Sequence, residues 1–186
     1  MLNKINFKSL YSSGENDSPI SFFTDALSNS ISFDFGLGFF SSASFNVLSI
    51  GFAKFISNGG KMRLYINQYL SEEDYEIFTS HPDIVENKLI DSFTSMLNVL
   101  TKRDKQFFNC LSYLIYTNRI EVKIVIPNSG GIAHQKFGIF TDAAKNKVSF
   151  IGSLNLTASA LLSKNIESIS CNSSWKGAAE TINDYQ

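Results

Sequence analysis

Three short segments near the C-terminal end carry the side chains with the clearest chemistry. His134 and Lys136 alternate along the chain, so in a strand both side chains leave the same face. Gly152-Ser153-Leu154-Asn155 follows, and Asn165-Ile166-Glu167 begins ten residues after Asn155. Lysine and amide groups bind phosphate oxygens, imidazole acts as nucleophile or proton carrier, and a carboxylate can fix the tautomer of an imidazole. The pattern therefore indicates a site that binds a phosphate group and attacks its phosphorus atom.

The order and spacing of these residues resemble the HxK…D…GSxN…E signature of the phospholipase D superfamily. The resemblance is greatest to the nuclease-like branch, which includes metal-independent restriction endonucleases and domains fused to helicases. The motif residues span 134–167, and a softer resemblance extends over 31–67. The resemblance implies an α/β fold, phospholipase D-like, with a mixed β-sheet flanked by helices on both faces and one motif per chain.

The resemblance also implies a covalent mechanism. His134 would attack a phosphodiester and form a phosphohistidine, and Glu167 would hydrogen-bond the far nitrogen of that imidazole. The aspartate of the signature would be Asp142, one residue later than the family places it, in a supporting role. The catalytic set implied by the resemblance is His134, Lys136, Asn155 and Glu167.

Substrate binding follows from the same resemblance. The non-bridging phosphate oxygens would be held by Lys136, Ser153, Asn155 and Asn165. Lysine then supplies the positive charge that a divalent ion would otherwise supply, and no cluster of Asp, Glu and His has ligand spacing. We therefore expect no catalytic metal and no cofactor.

A single histidine motif leaves the reaction without a general acid for the leaving oxygen. The other histidine, His81, lacks both the lysine two residues later and a following GSxN run. We therefore expect a symmetric homodimer in which His134 of one copy is the nucleophile and His134 of the other is the acid. DNA is the expected substrate, and a fused or associated helicase or target-recognition domain is a further expected partner.

Two other functions remain open from the sequence. One is a phosphodiesterase or transferase acting on lipid or another small phosphodiester. The other is a module that binds phosphate or nucleic acid without turnover. Cleavage of a phospholipid would favour the first, and phosphate binding without hydrolysis would favour the second.

Size and composition restrict the class of protein. The 186 residues fit one phospholipase D-like domain over 1–186, either complete or cut from a longer protein. The net charge of −1 places any nucleic-acid contact in a local patch, for which Thr101-Lys102-Arg103-Asp104-Lys105 is a candidate. Cys110 and Cys171 lack metal-ligand spacing and are expected to be buried thiols in a reducing compartment. No apolar run has the length of a membrane span, so we expect a cytoplasmic protein without a membrane partner.

The pattern of the N-terminal half predicts a βαβ unit. Residues 1–17 are polar and irregular, with a turn at Ser12-Ser13-Gly14, and Ser18-Pro19 begins a helix. Strict alternation predicts a strand at 31–35, and helical period predicts a helix at 40–57 that ends in Asn58-Gly59-Gly60. A strand at 61–66 follows, and we expect it to pair in parallel with the first.

The C-terminal half is predicted to hold the site on antiparallel strands. A hairpin pairs 134–140 with 147–151 through a turn at 143–146, and a last strand covers 165–171. Further predicted elements are helices at 84–100, 105–116 and 157–162, a strand at 119–126, and a polar ending over 173–186 that is a helix or a domain boundary.

Overall fold

Seven strands form one mixed sheet in the order β1-β7-β6-β5-β2-β3-β4, which confirms the predicted α/β class. The computed structural model describes residues 1–15, 18–37, 47–67, 114, 117–125, 136–154, 161–162 and 166–183. The strands are β1 (Leu10–Ser12), β2 (Ser32–Leu37), β3 (Lys61–Asn67), β4 (Ile120–Val125), β5 (Lys136–Thr141), β6 (Lys147–Gly152) and β7 (Ser168–Ser173). The α-helices are α1 (Pro19–Ser28), α2 (Ser49–Ser57) and α3 (Ala179–Asn183), with short 3-10 helices at Leu2–Lys4 and Ser174–Lys176.

The predicted βαβ unit is confirmed by the parallel pairing of β2 with β3, which opposes Phe33 to Met62. Helix α2 lies between these strands in sequence and is the described part of the helix predicted at 40–57. It ends before Gly59, whose φ of +77° is readily adopted only by a residue without a Cβ. Strand β4 then adds to β3, also in parallel.

Helix α1 begins as the sequence predicts, with Ser18 at the N-cap and Pro19 in the first turn. Its apolar stripe buries two adjacent phenylalanines, Phe22 and Phe23, against rings from the sheet. The ring centroids of Phe23 and Phe150 are 4.9 Å apart at an interplanar angle of 73°. The sheet contributes the remaining fully buried rings of this cluster, which are Phe33, Phe35, Phe140 and Phe150. Full burial of each such ring stabilises the fold by about 1.5–3 kcal/mol.

The antiparallel half of the sheet carries the predicted hairpin. β5 and β6 pair from Lys136 opposite Gly152 to Thr141 opposite Lys147, which confirms the hairpin. β5 also pairs antiparallel with β2, so this contact joins the hairpin to the parallel half. The last predicted strand is present as β7, although it begins at Ser168 rather than at residue 165.

The N-terminal segment differs from the prediction of an irregular polar stretch. Leu2, Phe7 and Tyr11 are buried, and β1 pairs antiparallel with β7 at the sheet edge. Only Tyr11 of the three residues in β1 is buried, and a strand this short has no alternation that a sequence could show. The prediction of a turn at Ser12-Ser13-Gly14 is confirmed by the left-handed φ of Gly14, +84°.

The polar C-terminal ending belongs to the fold, because Ile182 in α3 is fully buried and α3 contacts β6 and β7. Of the two alternatives expected for 173–186, a helix or a domain boundary, the helix is present at Ala179–Asn183. Apart from Leu114, Leu161 and Leu162, the helices predicted at 84–100, 105–116 and 157–162 lie outside the described residues. None of the described helices is long and apolar enough to cross a membrane.

Candidate functional site

The candidate site lies at the edge of the sheet where the parallel strands end. β2, β3 and β4 run in the same direction and reach this edge at Leu37, Asn67 and Val125. β5 runs the opposite way and begins at the same edge with Lys136. In open α/β sheets, ligands bind outside the carboxyl ends of the parallel strands. The sequence motif therefore coincides with the edge where such folds place their sites.

Lys136 is the most buried positively charged residue described in the chain, with 2 % of its surface exposed. It pairs in register with Gly152 and shares a sheet face with Phe140, which belongs to the core. Burying a charged ammonium costs free energy unless polar groups surround it. A lysine kept in this position is well suited to stabilising negative charge on a bound anion.

Gly152 allows the strands around the site to approach closely. A Cβ atom built at Gly152 would lie 2.2 Å from the backbone oxygen of Ser168, which is closer than any real contact. The absence of a side chain therefore lets β6 and β7 pair up to the point where Ser153 faces the start of β7. The Ser153 backbone N–H donates to the Ser168 oxygen at 3.2 Å.

Ser153 and Glu167 are joined directly at this edge. The Ser153 hydroxyl donates a short hydrogen bond to Oε2 of Glu167, and only 9 % of the Glu167 surface is exposed. A hydroxyl has one proton to donate, and here it is directed at the carboxylate. A phosphate oxygen expected at Ser153 must therefore compete with Glu167 for that proton.

Ser13 also contacts Glu167, and the sequence had indicated only a turn there. The Ser13 backbone N–H donates to the Glu167 backbone oxygen at 2.8 Å. In return, the Glu167 N–H donates to the Ser13 hydroxyl at 3.3 Å. The serine followed by glycine indicated a turn, but nothing in the sequence indicated that Ser13 contacts Glu167.

Asp142 lies at the other end of β5 from Lys136, in the turn of the hairpin. Its carboxylate is 1 % exposed and accepts four hydrogen bonds. At 2.9 Å each, the donors are the backbone N–H groups of Leu2, Ala144 and Asn146 and the side-chain amide of Asn146. Burial acts to raise the pKa of Asp142, but these hydrogen bonds outweigh burial and hold the pKa below its ordinary value. Asp142 therefore stabilises the turn of the hairpin and connects that turn to the N-terminal segment.

Asp142→Asn should destabilise the fold by about 1–3 kcal/mol at neutral pH, because an amide NH₂ would replace one acceptor oxygen and face donors. A depressed folded-state pKa contributes stability above the ordinary value of 3.8, and that stability is lost as the pH falls through the folded-state pKa. The stability difference between wild type and variant should therefore shrink on acidification to about pH 3. Urea unfolding at both pH values measures it.

The matched control for this prediction is Asp25→Asn, which changes an exposed aspartate on α1. We expect its free energy of unfolding to stay within about 0.5 kcal/mol of the wild-type value. Equal losses from both substitutions would contradict a specific role for the Asp142 carboxylate.

The structure brings together Lys136, Ser153 and Glu167 at one edge and places Asp142 at the opposite edge. The other predicted site residues, His134, Asn155 and Asn165, lie outside the described residues, as do His81, Cys110 and the basic run at 101–105. Cys171 is a buried free thiol on β7, as predicted, and burial raises its pKa. Within the described part of the chain, no group of three or more His, Cys, Asp or Glu side chains could hold a metal ion.

Comparisons with known proteins find similarity among solved structures. No protein-family model matches the chain. No curated protein matches it either. Among solved structures, the chain is similar to NucT from Helicobacter pylori, with a TM-score of 0.48 and 15 % sequence identity, over 89 % of this chain and 83 % of that one. The structure is that of an α/β protein with a mixed seven-stranded sheet, and Lys136, Ser153 and Glu167 lie at the carboxyl ends of its parallel strands.

Proposed function

We propose that this chain is a nuclease of phospholipase D type that cleaves DNA without a catalytic metal. One observation carries the proposal: the buried Lys136 lies in register with Gly152, beside the bonded pair Ser153 and Glu167. These residues belong to the HxK, GSxN and NxE segments that indicated phosphate chemistry in the sequence. The proposal includes the finer features of that class, which are helices on both faces of the sheet and one motif per chain.

The nucleophile in this proposal is His134. It precedes Lys136 by two residues, a spacing that directs both side chains to one face of a strand. Glu167 is the carboxylate that we assign to His134, because it is buried beside Ser153 at the end of the sheet where β5 begins with Lys136. Glu167 is then suited to hold the imidazole in the reactive tautomer.

The chemistry proceeds in two displacements. A ring nitrogen of His134 forms a bond to phosphorus while the bond from phosphorus to the leaving oxygen breaks, and an acid delivers a proton to that oxygen. Water then attacks the phosphohistidine, loses its proton to the same group, and releases His134 with a phosphate monoester. Lys136, Asn155 and Asn165 stabilise the charge that gathers on the non-bridging oxygens, with Ser153 once its hydroxyl leaves Glu167.

The acid in this scheme is supplied by a second copy of the chain. His134 is the only histidine that has the lysine and the GSxN segment in the right places. A two-fold axis that places the two sites face to face lets each His134 serve as acid for the other. The proposed protein is therefore a homodimer with a shared site. A helicase or target-recognition domain, fused or associated, is the class of partner that would direct such a nuclease to its target.

The test is cleavage of plasmid and single-stranded DNA by the wild-type protein in excess EDTA. We expect the same rate of DNA cleavage with and without EDTA, because lysine and amide groups take the role of a metal ion. Cleavage that EDTA abolishes would contradict the metal-free mechanism.

The same preparation should also be assayed with phosphatidylcholine vesicles and with an uncleavable phosphorothioate oligonucleotide. Lipid hydrolysis without DNA cleavage would replace DNA by a lipid or small phosphodiester as the substrate. Oligonucleotide binding without cleavage of any substrate would make the chain a non-catalytic module. Either result would overturn the proposed nuclease.

A further inference from the structure

Strand β1 leaves the sheet through a tight turn at the site. The Glu15 N–H donates to the Ser12 carbonyl at 3.4 Å, and Gly14 between them has a φ of +84°. A glycine with positive φ in the third position is the mark of a type II turn, whose second residue here is Ser13. Ser13 is therefore the last residue of the N-terminal segment that faces β7.

The contact between Ser13 and Glu167 departs from a regular ladder in an informative way. In an antiparallel ladder, every second pair of facing residues exchanges two backbone hydrogen bonds. Here the Ser13 N–H donates to the Glu167 oxygen at 2.8 Å, but the Glu167 N–H donates to the Ser13 hydroxyl at 3.3 Å. The serine side chain thus supplies an acceptor for the Glu167 N–H where the chain turns away.

Two serine hydroxyls consequently hold Glu167 at its two ends. Ser153 donates to the carboxylate, and Ser13 accepts from the backbone N–H. Glu167 itself lies just before β7, and the residue on its other side, Ile166, is 97 % exposed. Among the described contacts, Ser13 is therefore the only partner of the Glu167 backbone N–H.

We propose that Ser13 is a positioning residue that acts through Glu167 on the nucleophile; this inference rests on the proposed function. The Ser13 hydroxyl fixes the backbone from which the Glu167 side chain extends, so its loss lets the carboxylate move relative to its targets. A misplacement of about 1 Å in a supporting residue is enough to slow catalysis several-fold or more. In this proposal Ser13 acts on Glu167 and not on the substrate, so the effect falls on kcat and leaves KM unchanged.

The test uses three substitutions in the full chain. Ser13→Ala should lower kcat for DNA cleavage by about fivefold to tenfold per folded molecule, as the loss of one hydrogen bond implies. Ser13→Thr keeps the hydroxyl and should restore the wild-type rate. Ser12→Ala is the matched control, because it removes a hydroxyl from the neighbouring residue, whose side chain leaves the opposite face of β1 and which faces Ser168 rather than Glu167.

A double-mutant cycle separates positioning from a general loss of structure. In a Glu167→Ala background, Ser13→Ala should cost less than about twofold, because its route to the site has been removed. If Ser13→Ala lowers kcat equally in both backgrounds, Ser13 does not act through Glu167 and the inference is overturned.

Hydrogen exchange of the Glu167 amide gives a readout that does not need activity. The exchange rate should rise about tenfold in Ser13→Ala and stay at the wild-type value in Ser12→Ala and Ser13→Thr. Unchanged exchange in Ser13→Ala overturns the inference even if the wild type cleaves DNA. If the wild type cleaves no DNA but the exchange rate still rises in Ser13→Ala, the proposed function is overturned. The contact between Ser13 and Glu167 would then exist without a catalytic role.

Discussion

His134→Ala should abolish DNA cleavage, lowering the rate by roughly a thousandfold or more. Without the imidazole no phosphohistidine forms, and the remaining groups can only bind the phosphate. The pairing of β5 with β6 and the hydrogen bond between Ser153 and Glu167 should remain, because both are formed by residues other than 134. The variant should therefore bind an uncleavable oligonucleotide with an affinity within about threefold of the wild type. Single-turnover cleavage and fluorescence anisotropy measure the two quantities.

The chain offers its own control for this substitution, because it contains only two histidines. His81→Ala should cleave at the wild-type rate. Acid-labile label retained on the wild-type protein after reaction with phosphorus-labelled DNA should be missing from His134→Ala. Full cleavage by His134→Ala, or loss of cleavage confined to His81→Ala, would show that the nucleophile has been assigned to the wrong residue.

Much of the fold could be predicted because its parts have local signals. The alternation at 31–35 and the glycine pair after residue 58 define the βαβ unit without any knowledge of the rest of the chain. The hairpin that carries Lys136 is also local, since a short turn joins two apolar runs. Such elements depend on the period of the apolar residues and on the residue types in turns, and both can be recognised from residues that are close together in the sequence.

The interactions that could not be predicted all join distant parts of the chain. β1 pairs with β7 across more than 150 residues, and three residues are too few to show a period. The buried carboxylate of Asp142 accepts from the N–H of Leu2, 140 positions away, and no spacing rule indicates that contact. Ser13 and Glu167 belong to the same class of contact, so a residue that looked like part of a turn lies at the site.

The site itself combines both kinds of information. The order of its residue types could be read from the sequence, and so could the strand that carries Lys136. The sheet order adds that this strand lies between β2 and β6, which places it beside the carboxyl ends of the parallel strands. The burial of Lys136 and the bond between Ser153 and Glu167 come from packing, and they indicate which groups are held before any substrate binds.

A mixed-dimer experiment should show that neither copy of the chain is active alone. If each catalytic event uses His134 from both copies, a dimer of one wild-type and one His134→Ala chain has either no nucleophile or no acid. Chains refolded together in equal amounts should then retain about a quarter of the activity of the same total amount of wild type, because only dimers with two intact chains work. Independent sites would instead retain about a half.

Varying the mixing ratio makes this prediction quantitative. Activity should fall with the square of the wild-type fraction, measured as single-turnover cleavage in excess EDTA. Chains carrying Asp25→Asn, refolded with wild type in the same way, are the control and should leave the activity unchanged, because Asp25 is an exposed residue of α1. A linear fall with the wild-type fraction, or a protein that remains monomeric at micromolar concentration while cleaving DNA, would rule out the shared site. The general acid would then have to come from the same chain, and a residue other than His134 would have to supply the proton, since His134 is already the nucleophile.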